Sequence, residues 1–242
     1  HRRPVHRRPA ALSLAGVVLA ASAVACPVSA GLPADAAGAG GRQMAVTASV
    51  PSLQTALRRA APDLDPDVLR LALEARTCAL ASGRVADGRR LGVIDYSRPS
   101  TEPRLWVFDL PGGRLLHREY VAHGRNTGEN LARRFSNQEA SYQSSLGLFA
   151  TAETYTGSNG YSLRMDGLEA GVNDRARERA IVMHGAPYVD PEQALRQGRL
   201  GRSLGCPALR PAGAREVIDG LREGRLLFAY YPDQDWLRGS RF

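Results

Sequence analysis

A mainly-β domain with a few peripheral helices is the fold class that three observations predict. From about residue 88 to 232 the chain is a series of short runs rich in branched and aromatic residues: LGVIDYS, RLWVFDL, RLLHREYVAHG, SLGLFATAETYTG, YSLRMDG, AIVMHGA and LLFAYYP. Clusters of Gly, Asn, Asp or Pro separate these runs, which is the punctuation of strands. Helical periodicity enters only ahead of the first strand and over PAGAREVIDGLREG near the end. No internal repeat is present, and 242 residues with 43% hydrophobic content suit one main domain with appendages.

The elements follow in order. HRRPVHRRP is a basic region, ALSLAGVVLAASAVA is an apolar run of signal-peptide length, and small residues follow, so residues 1–30 are predicted to be an export signal. Val28-Ser29-Ala30, Ala34-Asp35-Ala36 and, as a weak lipoprotein pattern, Ala23-Val24-Ala25-Cys26 all offer cleavage sites. The apolar run is shorter than the roughly 20 residues of a spanning helix, which argues against a retained anchor. Residues 31–62 turn to Ala, Gly, Ser and Pro and are predicted to be a flexible tether, although SLQTALRRA has the makings of a short helix. The catalytic or binding domain is then expected over 63–232, with a C-terminal tail at 233–242.

That domain should open with a helix over about 65–82. Asp65-Pro66 is an N-cap followed by proline at the first helical position, Val68, Leu71, Ala72, Ala75 and Ala79 form one stripe, and Gly83 is a suitable stop. Cys78 lies beside the stripe, which favours a buried small hydrophobe; in an oxidising compartment a disulfide with Cys206 is the alternative. Pro111-Gly112-Gly113 between RLWVFDL and RLLHREYVAHG predicts a hairpin.

The formal charge of +8 invites a nucleic-acid reading, but Arg2, Arg3, Arg7 and Arg8 in the export signal carry half of it. No aromatic interleaving or nucleic-acid motif accompanies the rest, so nucleic acid is excluded as a partner. The chain contains no lysine; every cationic side chain of the Lys and Arg class is arginine.

Chemistry centres on RSLGCPALRP, where Cys206 stands between a glycine and a proline. A free thiol near its ordinary pKa is only a few per cent thiolate at neutral pH, so a nucleophilic one needs a base or a positive field. Three of the five histidines, His117, His123 and His184, lie outside the export signal. His184 ends the run AIVMHGA and precedes Gly185, where a tight glycine lets another backbone or a substrate approach. His123, in the turn VAHGRNTGEN, either borders a cleft or satisfies its own backbone, and Asn126, Ser145 and Gly147 share that ambiguity. No ligand spacing for a metal and no Gly-rich phosphate loop occurs, so cofactor-free chemistry is expected.

HGAPYVD followed by RSLGCPAL resembles the signature of the murein L,D-transpeptidase catalytic domain family, the YkuD type, in which a histidine-glycine strand end precedes a Ser-x-Gly-Cys motif. VIDYS, RLWVFDL, VAHGRN, RFSN, SSLGLF, GYSLR and GLEAGVND extend the resemblance in order over roughly residues 65–231. It implies a β-sandwich or barrel-like domain acting as a monomer on peptidoglycan stem peptides, exported to the periplasm or cell envelope, with no cofactor and no specific protein partner. It further implies Cys206 as nucleophile, His184 as its base, and the amides of Gly205 and Cys206 as oxyanion donors. Ser203 would hydrogen-bond the imidazole or the thiolate, or else simply stabilise the turn. Arg202 is the preferred receptor for a stem-peptide carboxylate, by the bidentate match of guanidinium and carboxylate. Ser145-Leu146-Gly147 resembles the family's cleft-lining strand. Most members have histidine where this chain has Leu204, and His184 lies 22 positions before Cys206, slightly more than usual. The implied reaction is acyl transfer from a tetrapeptide stem with release of D-alanine. An L,D-carboxypeptidase on the same site, a silent peptidoglycan-binding protein and a peptidase of unrelated substrate are the alternatives.

Overall fold

The computed structural model describes residues 50–240. The export signal, the tether up to residue 49 and Cys26 lie outside the described residues. Among the described residues nine strands form one sheet: β1 (Arg90–Asp95), β2 (Leu105–Asp109), β3 (Arg114–Glu119), β4 (Val121–Ala122), β5 (Gly147–Gly157), β6 (Gly160–Gly167), β7 (Val182–Gly185), β8 (Ala208–Leu209) and β9 (Leu226–Tyr230). Their order across the sheet is β3-β2-β1-β9-β5-β6-β7-β8-β4. The two edge strands, β3 and β4, are separated in the chain only by Tyr120. A single residue spans a few ångströms, so the edges must meet and the sheet curls nearly closed. The Arg210 guanidinium fastens the seam, forking onto Glu119 at 2.8 and 2.7 Å from just beyond β8.

Both predicted helices and the hairpin are present. Helix α2 (Pro66–Ala81) starts at Asp65, whose carboxylate accepts from the Asp67 and Val68 amides, and Gly83 takes the positive φ that ends it. Its buried face adds Leu69 and Leu73 to the predicted stripe, while Leu71 is only partly buried. Helix α4 (Pro211–Leu221) buries Val217, Ile218 and Leu221 against the sheet. The strands β2 and β3 pair antiparallel across Pro111-Gly112-Gly113, and Trp106 and Phe108 from β2 are wholly enclosed.

Two boundaries and one internal helix differ from the sequence reading. Helix α1 (Val50–Ala60) packs on β3 and α2 with Leu57 fully buried, so the domain begins before residue 63 and the last part of the expected tether belongs to it. This is the short helix that SLQTALRRA suggests, with Leu53 and Leu57, one helical turn apart, as its apolar edge. The expected tail carries helix α5 (Gln234–Gly239), docked by Trp236, whose indole N–H donates to Glu169 at 2.9 Å. A short helix α3 (Pro191–Gln197) in the 186–205 segment begins with Asp190-Pro191, the same start signal that marks α2, and went unread.

Cys78 is buried as expected, but it is disulfide-bonded. Cys206 is the free thiol among the described residues, so the two are not joined to each other. No helix among the described residues is long and apolar enough to cross a membrane.

Candidate active site

Parallel pairing of β7 with β8 sets the site. His184 stands opposite Ala208 in register, which carries the preceding Cys206 to the level of Val182 at the start of β7. There the Cys206 thiol donates to the Ala180 carbonyl at 3.7 Å and accepts from the Val182 N–H at 3.5 Å. The turn that presents the thiol is held from within. Gly205 adopts φ +127°, and a Cβ there would come within 2.9 Å of the Gln143 carbonyl and 3.0 Å of Ile181, so only glycine fits. The Ser144 hydroxyl donates to the Gly205 carbonyl at 3.0 Å while accepting the Gly124 N–H at 3.0 Å. The Ser203 amide donates to the His123 carbonyl and the Arg125 amide to the Ser203 carbonyl, at 2.9 and 2.8 Å.

Burial pushes the Cys206 thiol up from its ordinary range. The Val182 amide, the charge of Arg179 and its own N–H pull the other way without overcoming it. The resting group is therefore a thiol that needs a base. His184, 4% exposed, has its pKa lowered by burial, which keeps the imidazole neutral near pH 7. Its Nδ1 donates to the Gly185 carbonyl at 3.0 Å, which leaves Nε2 as the basic nitrogen, with no partner among the described residues. No hydrogen bond joins His184 to Cys206 in this state. Gly185 lets α4 approach closely, since a Cβ there would meet Ala214 at 3.0 Å.

Other expected site residues take different roles. Ser203 bonds neither imidazole nor thiol: its hydroxyl donates to the Cys206 carbonyl at 2.6 Å and accepts the Gly205 N–H at 3.1 Å, which closes the turn. That bond also commits the Gly205 amide, one of the two expected oxyanion donors, to the turn itself. Arg202 is clamped by Glu129 at 2.6 Å and by the carbonyls of Arg125 and Gly128, so it is not poised for a substrate carboxylate. His123, 1% exposed, accepts from the Arg104 guanidinium on Nδ1 at 2.8 Å and donates from Nε2 to Gly128 at 3.3 Å. Burial and the Arg104 charge depress its pKa to about 3, so it is a neutral structural group. Ser145 faces inward and donates to the Ser136 carbonyl at 2.9 Å. Gly147 makes room for Glu169, whose carboxylate a Cβ would strike. Asn126 stays exposed at the rim, its amide donating to Ser141 at 2.9 Å. Leu204 is 59% exposed beside the thiol turn.

The residues missed in the sequence are Ser144, Arg179, Ala180 and Val182. Nothing local marks them: Ser144 is one of two adjacent serines, and Arg179 sits in the arginine-rich RARERA. Among the described residues no group of three or more His, Cys, Asp or Glu side chains is arranged to hold a metal ion.

A family model described as the L,D-transpeptidase catalytic domain matches residues 60–230. A search of the curated proteins returned no match. Similar solved structures include an L,D-transpeptidase from Mycobacterium smegmatis (15% identity, 59% of each chain covered, TM-score 0.36). L,D-transpeptidase 3 from Mycobacterium tuberculosis is similar at 14% identity, with 59% of this chain and 61% of that one covered and a TM-score of 0.36. An L,D-transpeptidase from Stackebrandtia nassauensis is similar at 12% identity, with 76% and 78% covered and a TM-score of 0.36. The chain thus spans about three-fifths of the length of the first two. The family model takes in most of the chain, including the His-Gly strand end and the thiol turn, and on that match the chain belongs to the L,D-transpeptidase catalytic domain family.

Proposed function

We propose that the protein is an exported cysteine acyltransferase that remodels peptidoglycan, with Cys206 as nucleophile and His184 as general base. The observation that supports this reading is the pairing of β7 with β8: the free Cys206 thiol meets the Val182 amide, two positions before His184 on the same strand, and the His184 imidazole is neutral with one unoccupied nitrogen. A neutral thiol and a neutral imidazole suit general-base activation, in which the pair ionises only as the substrate is attacked.

The reaction begins when the thiol proton leaves the Ala180 carbonyl for His184 Nε2. The Cys206 sulfur bonds to the carbonyl carbon of the third residue of a tetrapeptide stem. The Cys206 amide receives the oxyanion, a contact that contributes roughly 3 to 4 kcal/mol where such donors have been removed. As the C–N bond to the terminal D-alanine breaks, the imidazolium returns its proton to the leaving amine, and a thioester remains. An acceptor amine from a second stem then attacks the thioester, His184 takes the amine's proton and passes it to the departing Cys206 sulfur, and a 3-3 crosslink and the free thiol result.

Incubating the full chain with a purified tetrapeptide muropeptide, and measuring intact protein mass and products, tests the proposal. An adduct that Cys206→Ala lacks, together with free D-alanine, is the expected result. Crosslinked dimer identifies an amine acceptor, and free tripeptide identifies water and hence an L,D-carboxypeptidase. A folded protein with a reduced thiol that yields neither adduct nor D-alanine would leave the binding-protein reading in its place.

A further inference from the structure

The thiol meets segment 179–182 directly, through the Ala180 carbonyl and the Val182 amide. The residue before Ala180 is Arg179, and its half-buried guanidinium folds against the 136–145 segment. Nη1 donates to the Ser136 carbonyl and the Ser145 hydroxyl, both at 2.6 Å. Nη2 donates to the Gln143 carbonyl at 2.7 Å and the Ser141 hydroxyl at 3.2 Å. The same Gln143 carbonyl presses on Gly205, where a Cβ would lie within 2.9 Å of it. Arg179 and the thiol turn therefore share one wall.

All four acceptors are neutral. Nearby Arg175 pairs with Glu178 at 2.9 Å, but no carboxylate among the described residues pairs with Arg179. A carboxylate would cancel the guanidinium's field at the thiol; hydroxyls and carbonyls fix the group and leave its charge in force.

We infer that Arg179 is a positioning residue for the nucleophile, its rigidly held, uncompensated charge stabilising the Cys206 thiolate once His184 has taken the proton. The inference rests on Cys206 being the nucleophile. The other titratable groups that bear on the thiol are His184 on β7, Tyr96 just after β1 and Tyr188 in the loop beyond β7. In the resting protein burial holds His184 neutral near pH 7 and pushes both tyrosines up to about 12, so before proton transfer none of the three puts a charge on the thiol.

Titrating the thiol by its ultraviolet thiolate absorbance, with Cys206→Ala as the blank, tests the inference without substrate. Arg179→Gln is expected to raise the thiol midpoint by about one pH unit, a tenfold loss of thiolate at a fixed pH below it. Arg179→Lys, which keeps the charge, should stay closer to the parent than to R179Q. Because the chain has no lysine, R179K introduces its only side-chain amine. Acetylating that amine in the folded protein, with Cys206 reversibly blocked, should raise the midpoint as R179Q does, which covers a failure of R179Q to fold. A folded R179Q with the parent midpoint overturns the inference. So does R179K shifted as far as R179Q, or unmoved by acetylation. Since no substrate enters, failure here leaves acyl transfer untouched, and failure of acyl transfer leaves this titration interpretable.

Discussion

His123 and His184 have the same immediate context: each precedes a glycine, each lies at the end of a short strand beside the Ser203–Cys206 turn, and each is almost excluded from solvent. Their Nδ1 atoms meet opposite chemistry. At His123 an arginine donates to Nδ1, which forces the proton onto Nε2 and directs it to the Gly128 carbonyl. At His184 a carbonyl accepts from Nδ1 and leaves Nε2 unoccupied. Both rings are neutral at pH 7, but only His184 has a lone pair to offer. A histidine beside a nucleophile is thus defined by what occupies its far nitrogen more than by its distance along the chain.

The largest expected break in that comparison is His184→Gln. If His184 is the base proposed above, its loss should slow acylation by about 10²- to 10⁴-fold, whereas His123→Gln should cost less than about tenfold in the folded protein. Single-turnover mass spectrometry on both variants checks this, and equal losses would remove the distinction between the two rings. Next in size is Ser144→Ala. It strands the buried Gly124 N–H and the Gly205 carbonyl, with an expected loss of about 1 to 3 kcal/mol in urea unfolding. An unchanged midpoint would mean that water replaces the hydroxyl.

The acid limb sharpens the comparison further. His123 titrates near 3 when folded and near the ordinary 6.5 when unfolded, so below 6.5 the unfolded chain binds the extra proton. Stability from this group is fully present above 6.5 and falls as pH drops toward 3, by up to about 1.4 kcal/mol per unit. Urea midpoints between pH 4 and 7, parent against His123→Asn, should show a shallower slope in the variant; parallel slopes would assign the acid sensitivity to other groups. The smallest effect is expected from Arg202→Gln. Its clamp is Glu129, an exposed carboxylate, so stability should change by about 0 to 1 kcal/mol and KM for the muropeptide by less than threefold. A tenfold rise in KM would restore Arg202 as a substrate receptor.

Much of the fold was legible because strands, caps and turns write local signals. Asp65-Pro66, Pro111-Gly112-Gly113 and the branched runs each name their element without outside help, and the unread α3 carries the same Asp-Pro signal. Helix α1 is legible in SLQTALRRA although its place in the domain is not, and helix α5 leaves no local mark because its anchor, Trp236, bonds to Glu169 far back along the chain. Within the site, Cys206 and His184 stood out by motif. Ser144 and Arg179 did not, because a serine or arginine is ordinary until the tertiary fold sets it against the thiol turn.

By itself the sequence determined that a glycine-cysteine turn follows a histidine-ended strand in a mainly-β domain, since backbone freedom at Gly205 and residue patterning are local properties. Only the tertiary structure decided which histidine keeps a usable lone pair, that Ser203 and Arg202 serve the scaffold, and that an arginine with no counter-ion among the described residues stands behind the thiol. Those outcomes depend on hydrogen-bond partners dozens of residues away, and a group's protonation and availability are set by what surrounds it in space.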